Sequence, residues 1–470
     1  MGMGDFFGNF VKRWTVKEIV KRLPNASKEN LVKLTKMAEK LASLPEDKEK
    51  AKIVCEMFEK EHPSLIYSKK ILGKLHPNCR DKFAVNFIVN HLLINNGVRE
   101  SFRGKEGFQP PSTILISPSM KCNLRCQGCY AADYVREDDL SLEIMDKIVK
   151  ESKEIGNSFF TILGGEPFIY SHLFEFLERH GDCYFQIYTN GTLLDDDALK
   201  KLVKLGNVAL MFSLEGLKNE TDERRAPGVY EKVMDAMDRA REAGILFGYS
   251  AYVTKNNVET IMSDEFIDLM ISKGAFIGWY FLCMPVGKNP TTEFMPTPQQ
   301  RLYLKLRRDY LRDNKPLFIV DFWNDAPYVR GCIAARQFIH INSRGDIEPC
   351  IFTHFAANNI KTSSLKDALK SPFFKAIKNR QPYDENLYLP CTLIDHPTVI
   401  REVFEETHPY PTHEGALALI NDPKIKQELD NYAKEVRNLY QKVWEDDISK
   451  GMWKFIREET RRKKAGEIVE

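Results

Sequence analysis

Residues 113–130 read Thr113-Ile-Leu-Ile-Ser117-Pro-Ser-Met-Lys-Cys122-Asn-Leu-Arg-Cys126-Gln-Gly-Cys129-Tyr130. The first five residues make a short β-rich run, and the loop behind it carries three cysteines within eight residues. Cubane iron–sulfur clusters take thiolate ligands, and the fourth is ordinarily another cysteine. Three together leave one metal corner open for a substrate or cofactor. A closed zinc site wants four ligands, often as paired Cys-x-x-Cys. No histidine or fourth cysteine lies near this loop in the sequence, so zinc is a poor match.

Outward from the loop, strand-like and helix-like segments alternate. β-rich runs at Thr113–Ser117, Phe159–Leu163, Tyr184–Thr189, Val208–Leu214, Phe247–Val253 and Phe276–Leu282 predict six strands. Helical periodicity near Leu142–Ile155, His172–Arg179, Asp195–Leu205, Tyr230–Ala243 and Val258–Ile271 fills the gaps. The alternation predicts an α/β fold with a parallel sheet. Periodicity alone fits an open doubly wound sheet or an incomplete barrel. The polar and glycine-rich signals fall just after strands: Lys121-Cys122, Gly164-Gly165-Glu166-Pro167, Asn190-Gly191-Thr192, Ser213-Leu214-Glu215-Gly216 and Thr254-Lys255-Asn256-Asn257. In parallel α/β folds the C-terminal strand ends share one face, where ligands bind. Five such loops on one rim predict one site, and an enzyme.

The bulk numbers bound the partners. A chain of 470 residues suggests two or three structural units. Lys+Arg 68 against Asp+Glu 66 gives a net charge of +2, so no nucleic acid is expected. No apolar run reaches the ~18 residues of a membrane span, and charges at Lys12, Arg13, Lys17 and Glu18 argue against a secretory segment. A cytoplasmic protein is expected, in which ten cysteines serve as ligands, catalytic groups or apolar fillers rather than disulfides. Residues 1–110 read as a helical N-terminal extension, with a capping box at Thr15 and Glu18, a staple of Trp14 and Ile19, and further helices at Leu31–Ala42, Lys48–Glu61 and Phe83–Asn96. The stripe Phe6, Phe7, Phe10, Val11, Trp14 beside Lys12, Arg13 and Lys17 fits either an anionic membrane surface or docking onto the rest of the fold. The basic run Arg461–Lys464 reads as a solvated tail.

Cys-x-x-x-Cys-x-x-Cys after a first strand resembles the radical S-adenosylmethionine (SAM) superfamily. The resemblance implies a partial (β/α)6 TIM-type barrel, and a [4Fe–4S] cluster on Cys122, Cys126 and Cys129 whose open iron chelates SAM. Reductive cleavage of SAM would then give a 5′-deoxyadenosyl radical that abstracts a hydrogen atom. Gly164, Gly165, Glu166 and Pro167 match the family's second motif, with the glycines approaching the ligand and Glu166 accepting from its amino group. Asn190, Ser213 and Glu215 match rim positions that contact SAM, and Arg224 or Arg225 matches an arginine that pairs with its carboxylate. The family usually has an aromatic residue just before the third cysteine. Gly128 stands there, and Tyr130 is expected to take over packing against adenine. Ser250 and Thr254 read equally as turn-capping residues.

A second set follows. Cys332 and Cys350 flank a hairpin signal, Phe338–Asn342 and Asp346–Glu348 around Ser343-Arg344-Gly345, and Cys391 comes after a helical stretch. This resembles the SPASM and twitch auxiliary-cluster domains. No cysteine follows Cys391, so a single auxiliary iron–sulfur cluster on Cys332, Cys350 and Cys391 is expected. Cys283, His340, His354 or an external group would supply the fourth ligand. Asp321, Trp323, Asn324 and Asp325 read as substrate-facing or as a solvated loop. Cys55, Cys79 and Cys183 are structural, without ligand-like company.

The expected division is 1–110 helical extension, 111–315 barrel, 316–400 auxiliary-cluster domain and 401–470 helical C-terminal tail. The substrate expectation is a lipid acyl chain, coupled or modified at an unactivated C–H bond. A peptide or protein side chain is the alternative, and a non-catalytic iron–sulfur or zinc scaffold is the reading from another class. Ferredoxin or flavodoxin is the expected electron donor, and peripheral membrane association would accompany a lipid substrate.

Overall fold

The computed structural model describes residues 17–18, 20–22, 25–41, 52, 55–131, 138–287, 289–454, 456–458 and 461. The aromatic stripe at Phe6–Trp14, Thr15 and Ile19 of the predicted cap, and most of the basic run after Arg461 lie outside the described residues.

β1 (Thr113–Ile116), β2 (Phe159–Ile162), β3 (Tyr184–Thr189), β4 (Val208–Leu214), β5 (Phe247–Val253) and β6 (Ile277–Leu282) pair in parallel in chain order. β-branched and aromatic residues dominate them, and both faces are covered, which is the environment of a parallel sheet. The alternation does not stop at Lys315, as the sequence suggests. β7 (Phe318–Asp321) extends β6 in parallel, and β8 (Phe338–Ile341) pairs in parallel with β1 at the opposite edge. β9 (Asp346–Glu348) folds back on β8 as the expected hairpin, with Gly345 in the left-handed region at φ 90°. With Asn358–Asn359 on β9, one ten-stranded sheet results. No pairing joins β7 to β8. The gap between these edges is bridged by Phe322 and Phe338, with ring centroids 6.0 Å apart. The result is a partial TIM-type barrel.

Side-chain caps start the outer helices: Ser141 accepts from the Ile144 N–H, Asp195 from Ala198 and Ser263 from Phe266. Ser263 also explains why the stretch Val258–Ile271 is not one helix. It ends Val258–Ile261 and opens Asp264–Lys273.

The N-terminal helices close the base of the barrel. Tyr67, Ile71 and Leu72 of Pro63–Lys74, and Leu75 just after it, pack with Tyr184, Ala209, Met211 and Leu246. Phe83–Ile94 is π-helical and delivers Phe83 against Tyr184 (5.7 Å) and Phe87 against Phe159 (5.1 Å). Its His91 is buried, and burial beside Arg99 pushes its pKa down to about 3. The unfolded chain therefore takes up the proton near pH 6.5 and the folded one does not. Stability from this site is complete above pH 6.5 and is lost as pH falls toward 3. Thermal unfolding at pH 7 and 4.5 is expected to show the wild type losing about 2 kcal/mol more than His91→Phe.

The C-terminal segment is an integral part of the packing rather than a tail. Pro423–Ser449, capped by Asp422, buries Leu429, Val436, Tyr440 and Trp444. Val436, Tyr440 and Trp444 pack with Leu387, Tyr388 and Leu389. Asp321, Trp323 and Asn324 are buried, and Asp325 pairs with Arg308 (2.8 Å) and Arg312 (2.6 Å). This overturns the solvated-loop reading of that stretch.

Candidate active site

β1 hands the chain to the cysteine loop at the barrel's C-terminal rim, and Cys122, Cys126 and Cys129 all line one cavity of about 570 Å³. Its wall descends through Leu115, Tyr188, Met211 and Trp279 to Phe83 and Phe87 at the base. One continuous, largely apolar space thus connects the thiols to the N-terminal helices. Burial pushes the Cys122 thiol up to about 11, with Glu166 and the neighbouring thiols of Cys126 and Cys129 adding to the rise. Its Sγ accepts the Leu124 N–H at 3.4 Å, and a charged thiolate there would keep this donor.

Gly164 and Gly165 do approach something closely, and it is the cysteine loop itself. A Cβ on Gly165 would stand 2.1 Å from the Lys121 carbonyl oxygen, and one on Gly164 2.5 Å from that of Ser119. The Gly165 and Glu166 N–H groups donate to these same two carbonyls. Glu166 is buried and engaged at both oxygens. Oε1 accepts from Thr189 (2.8 Å) and the Phe168 N–H (3.2 Å), and Oε2 from the Asn190 N–H (2.7 Å). Burial nevertheless holds its pKa up near 7. Pro167 opens the short 3-10 turn that Glu166 caps. The Asn190 amide donates to Asn123 Oδ1 (2.9 Å) and lies 4.0 Å from Cys122 Sγ. These three loops form one hydrogen-bonded collar.

Across the cavity, Glu215 is 1% exposed and its Oε1 takes both Arg224 (2.5 Å) and Arg225 (2.6 Å). Its Oε2 is buried without a hydrogen-bond partner, an unmet acceptor next to the two arginines. Arg225 lies 4.0 Å from Cys126 Sγ, and both arginines line the cavity with Ser213 and Ser250. Thr254 accepts from Asn256 and contacts Asn257, the turn-capping role.

Tyr130 lines the cavity but turns toward the second cysteine set, its ring 6.1 Å from Phe352. Tyr252 takes the place beside Gly128, donating to the Gly128 carbonyl (3.2 Å) under the Arg224 guanidinium (4.1 Å). Tyr252 escaped the sequence reading because an aromatic residue on a strand is ordinary. Its only sequence signal was its place at the rim end of β5.

Cys332, Cys350 and Cys391 are brought together by the β8–β9 hairpin and the 391–396 turn, close enough that Cys332 raises the pKa of both other thiols. Cys350 Sγ accepts the Phe352 N–H (3.5 Å) and Cys391 Sγ that of Leu393 (3.4 Å), the geometry seen at Cys122. Of the candidate fourth ligands, His340 is held between Ser117 (2.7 Å) and Glu348 (2.5 Å), and Cys283 Sγ lies 2.9 Å from the Tyr252 hydroxyl. Among the described residues no three His, Cys, Asp or Glu side chains converge on a single ion position. Cys55, Cys79 and Cys183 are buried fillers.

Residues 116–263 match the model of the radical SAM superfamily, and residues 332–392 that of the SPASM iron–sulfur cluster-binding domain. The chain is a radical SAM enzyme. Its cofactors are a [4Fe–4S] cluster and SAM, and its SPASM domain adds auxiliary iron–sulfur. This radical SAM enzyme is similar to the AdoMet-dependent heme synthase of Methanosarcina barkeri, 24% identical over 286 residues, 55% of this chain and 81% of that protein. It is also similar to the PqqA peptide cyclase of Granulibacter bethesdensis, 23% identical over 263 residues, 52% of this chain and 68% of that protein. In fold it resembles Streptococcus suis SuiB bound to S-adenosylmethionine, with a TM-score of 0.52, 20% identity, and coverage of 70% of this chain and 80% of that one. No helix among the described residues of the radical SAM enzyme is long and apolar enough to cross a membrane.

Proposed function

We propose that Cys122, Cys126 and Cys129 hold the SAM-binding cluster, and that a hydrogen atom is taken from an apolar substrate group lodged in the barrel cavity. The observation that carries this is the position of the three thiols at one end of an apolar space reaching Phe83 and Phe87. When bound, the cluster and SAM supply a reductively generated carbon radical able to attack an unactivated C–H bond.

The chain's own residues do the rest. The unpartnered Glu215 Oε2 fits a hydroxyl or ammonium donor of SAM, and Arg225 beside Cys126 fits its carboxylate. Glu166, Asn190 and the two glycines act through the loops, bracing the cysteine loop against its neighbours. Tyr252 secures the Gly128 carbonyl. The apolar wall excludes water, which protects a radical from quenching. Cys332, Cys350 and Cys391 hold the auxiliary cluster, each of the last two with a backbone N–H on its sulfur.

The relatives differ in target, one named for heme and another for a peptide. A peptide bearing a bulky apolar side chain is the substrate we favour, since one relative is named as a peptide cyclase and Ile351 and Phe352, next to Cys350, line the cavity. An acyl chain is the second reading, favoured by the apolar lining down to the barrel base. Mass spectrometry of products from an extract, split into peptide and lipid fractions, separates the two. A SAM-dependent mass change in neither fraction would sink both. Ala209→Leu, which fills the cavity near its base, is expected to cut product about tenfold, near 1.4 kcal/mol, while 5′-deoxyadenosine still forms. Equal product yield would remove the cavity as the substrate site.

A further inference from the structure

We propose that the buried ion pair Arg301–Asp395 sets the position of Cys391 and the reduction potential of the auxiliary cluster, an inference that rests on Cys391 being one of that cluster's ligands. Arg301, on the helix Pro298–Asn314 that follows β6, is 0% exposed. Its guanidinium meets Asp395 through two parallel contacts, 2.5 Å to Oδ1 and 3.2 Å to Oδ2, and donates to the Tyr388 carbonyl at 2.8 Å. The face of Tyr440 lies 5.2 Å away. The same carboxylate accepts the Cys391 N–H at 3.0 Å, while the Asp395 and His396 N–H groups donate back to the Cys391 carbonyl at 3.0 and 2.9 Å. The turn that presents Cys391 is thus clamped to a barrel helix by charge.

Packing does not call for charge here. A buried pair is no better for stability than well-packed apolar residues of the same volume, because desolvation offsets the attraction. What apolar residues cannot provide is an oriented field. Asp395 touches the Cys391 backbone and Arg301 does not, so the negative end of the pair faces the thiol. A negative charge beside a cluster disfavours adding an electron to it, and net charge and hydrogen bonds at the sulfurs are what tune such potentials.

The test uses the full-length protein with both clusters reconstituted, iron counted, and each potential read by redox titration followed by electron paramagnetic resonance. The signal that changes on adding SAM marks the first cluster, and the other is the auxiliary one. Asp395→Asn is expected to raise the auxiliary midpoint and leave the SAM-responsive one in place. Arg301→Met/Asp395→Leu, which removes both charges at similar volume, is expected to raise it less. An auxiliary midpoint unmoved in both variants overturns the proposal, as does an equal shift of both clusters. Should Asp395→Asn shed the auxiliary iron, the double variant decides by the same criterion, and loss of that iron from both reduces the pair to a structural clamp and overturns it too. Full auxiliary iron in Cys391→Ala would show that the ligand assignment, and not the ion pair's role, is at fault.

Discussion

Cys126→Ala is expected to lower 5′-deoxyadenosine formation by about 10³-fold or more, a barrier increase of ~4 kcal/mol. Cys126 sits between the other two thiols of the loop, lines the cavity, and lies 4.0 Å from Arg225. Without it two thiolates remain in the loop, too few to hold a cubane with one open iron. The loss is chemical rather than structural, because the loop is held by other groups. The Gln127 N–H donates to the Arg224 carbonyl and Tyr252 to that of Gly128. Anaerobic reconstitution with a chemical reductant, followed by chromatography, measures it. Formation at the wild-type rate would show that these thiols are not the cluster's ligands. It would revive the scaffold reading of the loop.

Gly165→Ala is expected to destabilise the protein by about 3 kcal/mol and to lower iron uptake at the first cluster. The new methyl would stand 2.1 Å from the Lys121 carbonyl oxygen and 2.6 Å from its carbon. Both are backbone atoms, so no rotamer change relieves the clash. The loop one residue ahead of Cys122 has to move. Gly97→Ala is the control. It lies in the helix Asn95–Glu106 with nothing within 4 Å of its added methyl, and a gain of roughly 0.5–1 kcal/mol is expected. Thermal unfolding of both variants, with iron counted after reconstitution, separates a collision from a generic glycine effect. Equal behaviour of the two would remove the collar as the reason for the double glycine.

Much of the barrel was legible because local and global preferences agree there. Tyr184–Thr189, Val208–Leu214 and Phe247–Val253 carry apolar runs bounded by caps and turns, and the strands begin and end where those signals place them. β7 was not legible. Phe318–Asp321 is four residues long and follows a polar helix, and it is a strand because β6 offers an unpaired edge. The burial of Asp321 and Asn324 was hidden for the same reason. Asp321 is buried beside Arg308 of the preceding helix, and Asn324 is paired with Tyr440, on a helix 116 residues further along the chain.

The three cysteines with which the chain's reading begins were legible in sequence alone, since eight residues let one loop bring three thiols to one cavity whatever surrounds it. The glycines and carboxylates around them were recognisable as residues, but their partners were settled by the fold. Gly165 packs on Lys121, Glu166 is used up bracing Thr189 and Asn190, and Glu215 keeps one oxygen free while the other holds two arginines. Spacing along a chain carries ligand sets that are local. Which side chain faces which across a barrel depends on strand register and on helices that close its base, and only the tertiary structure decides those.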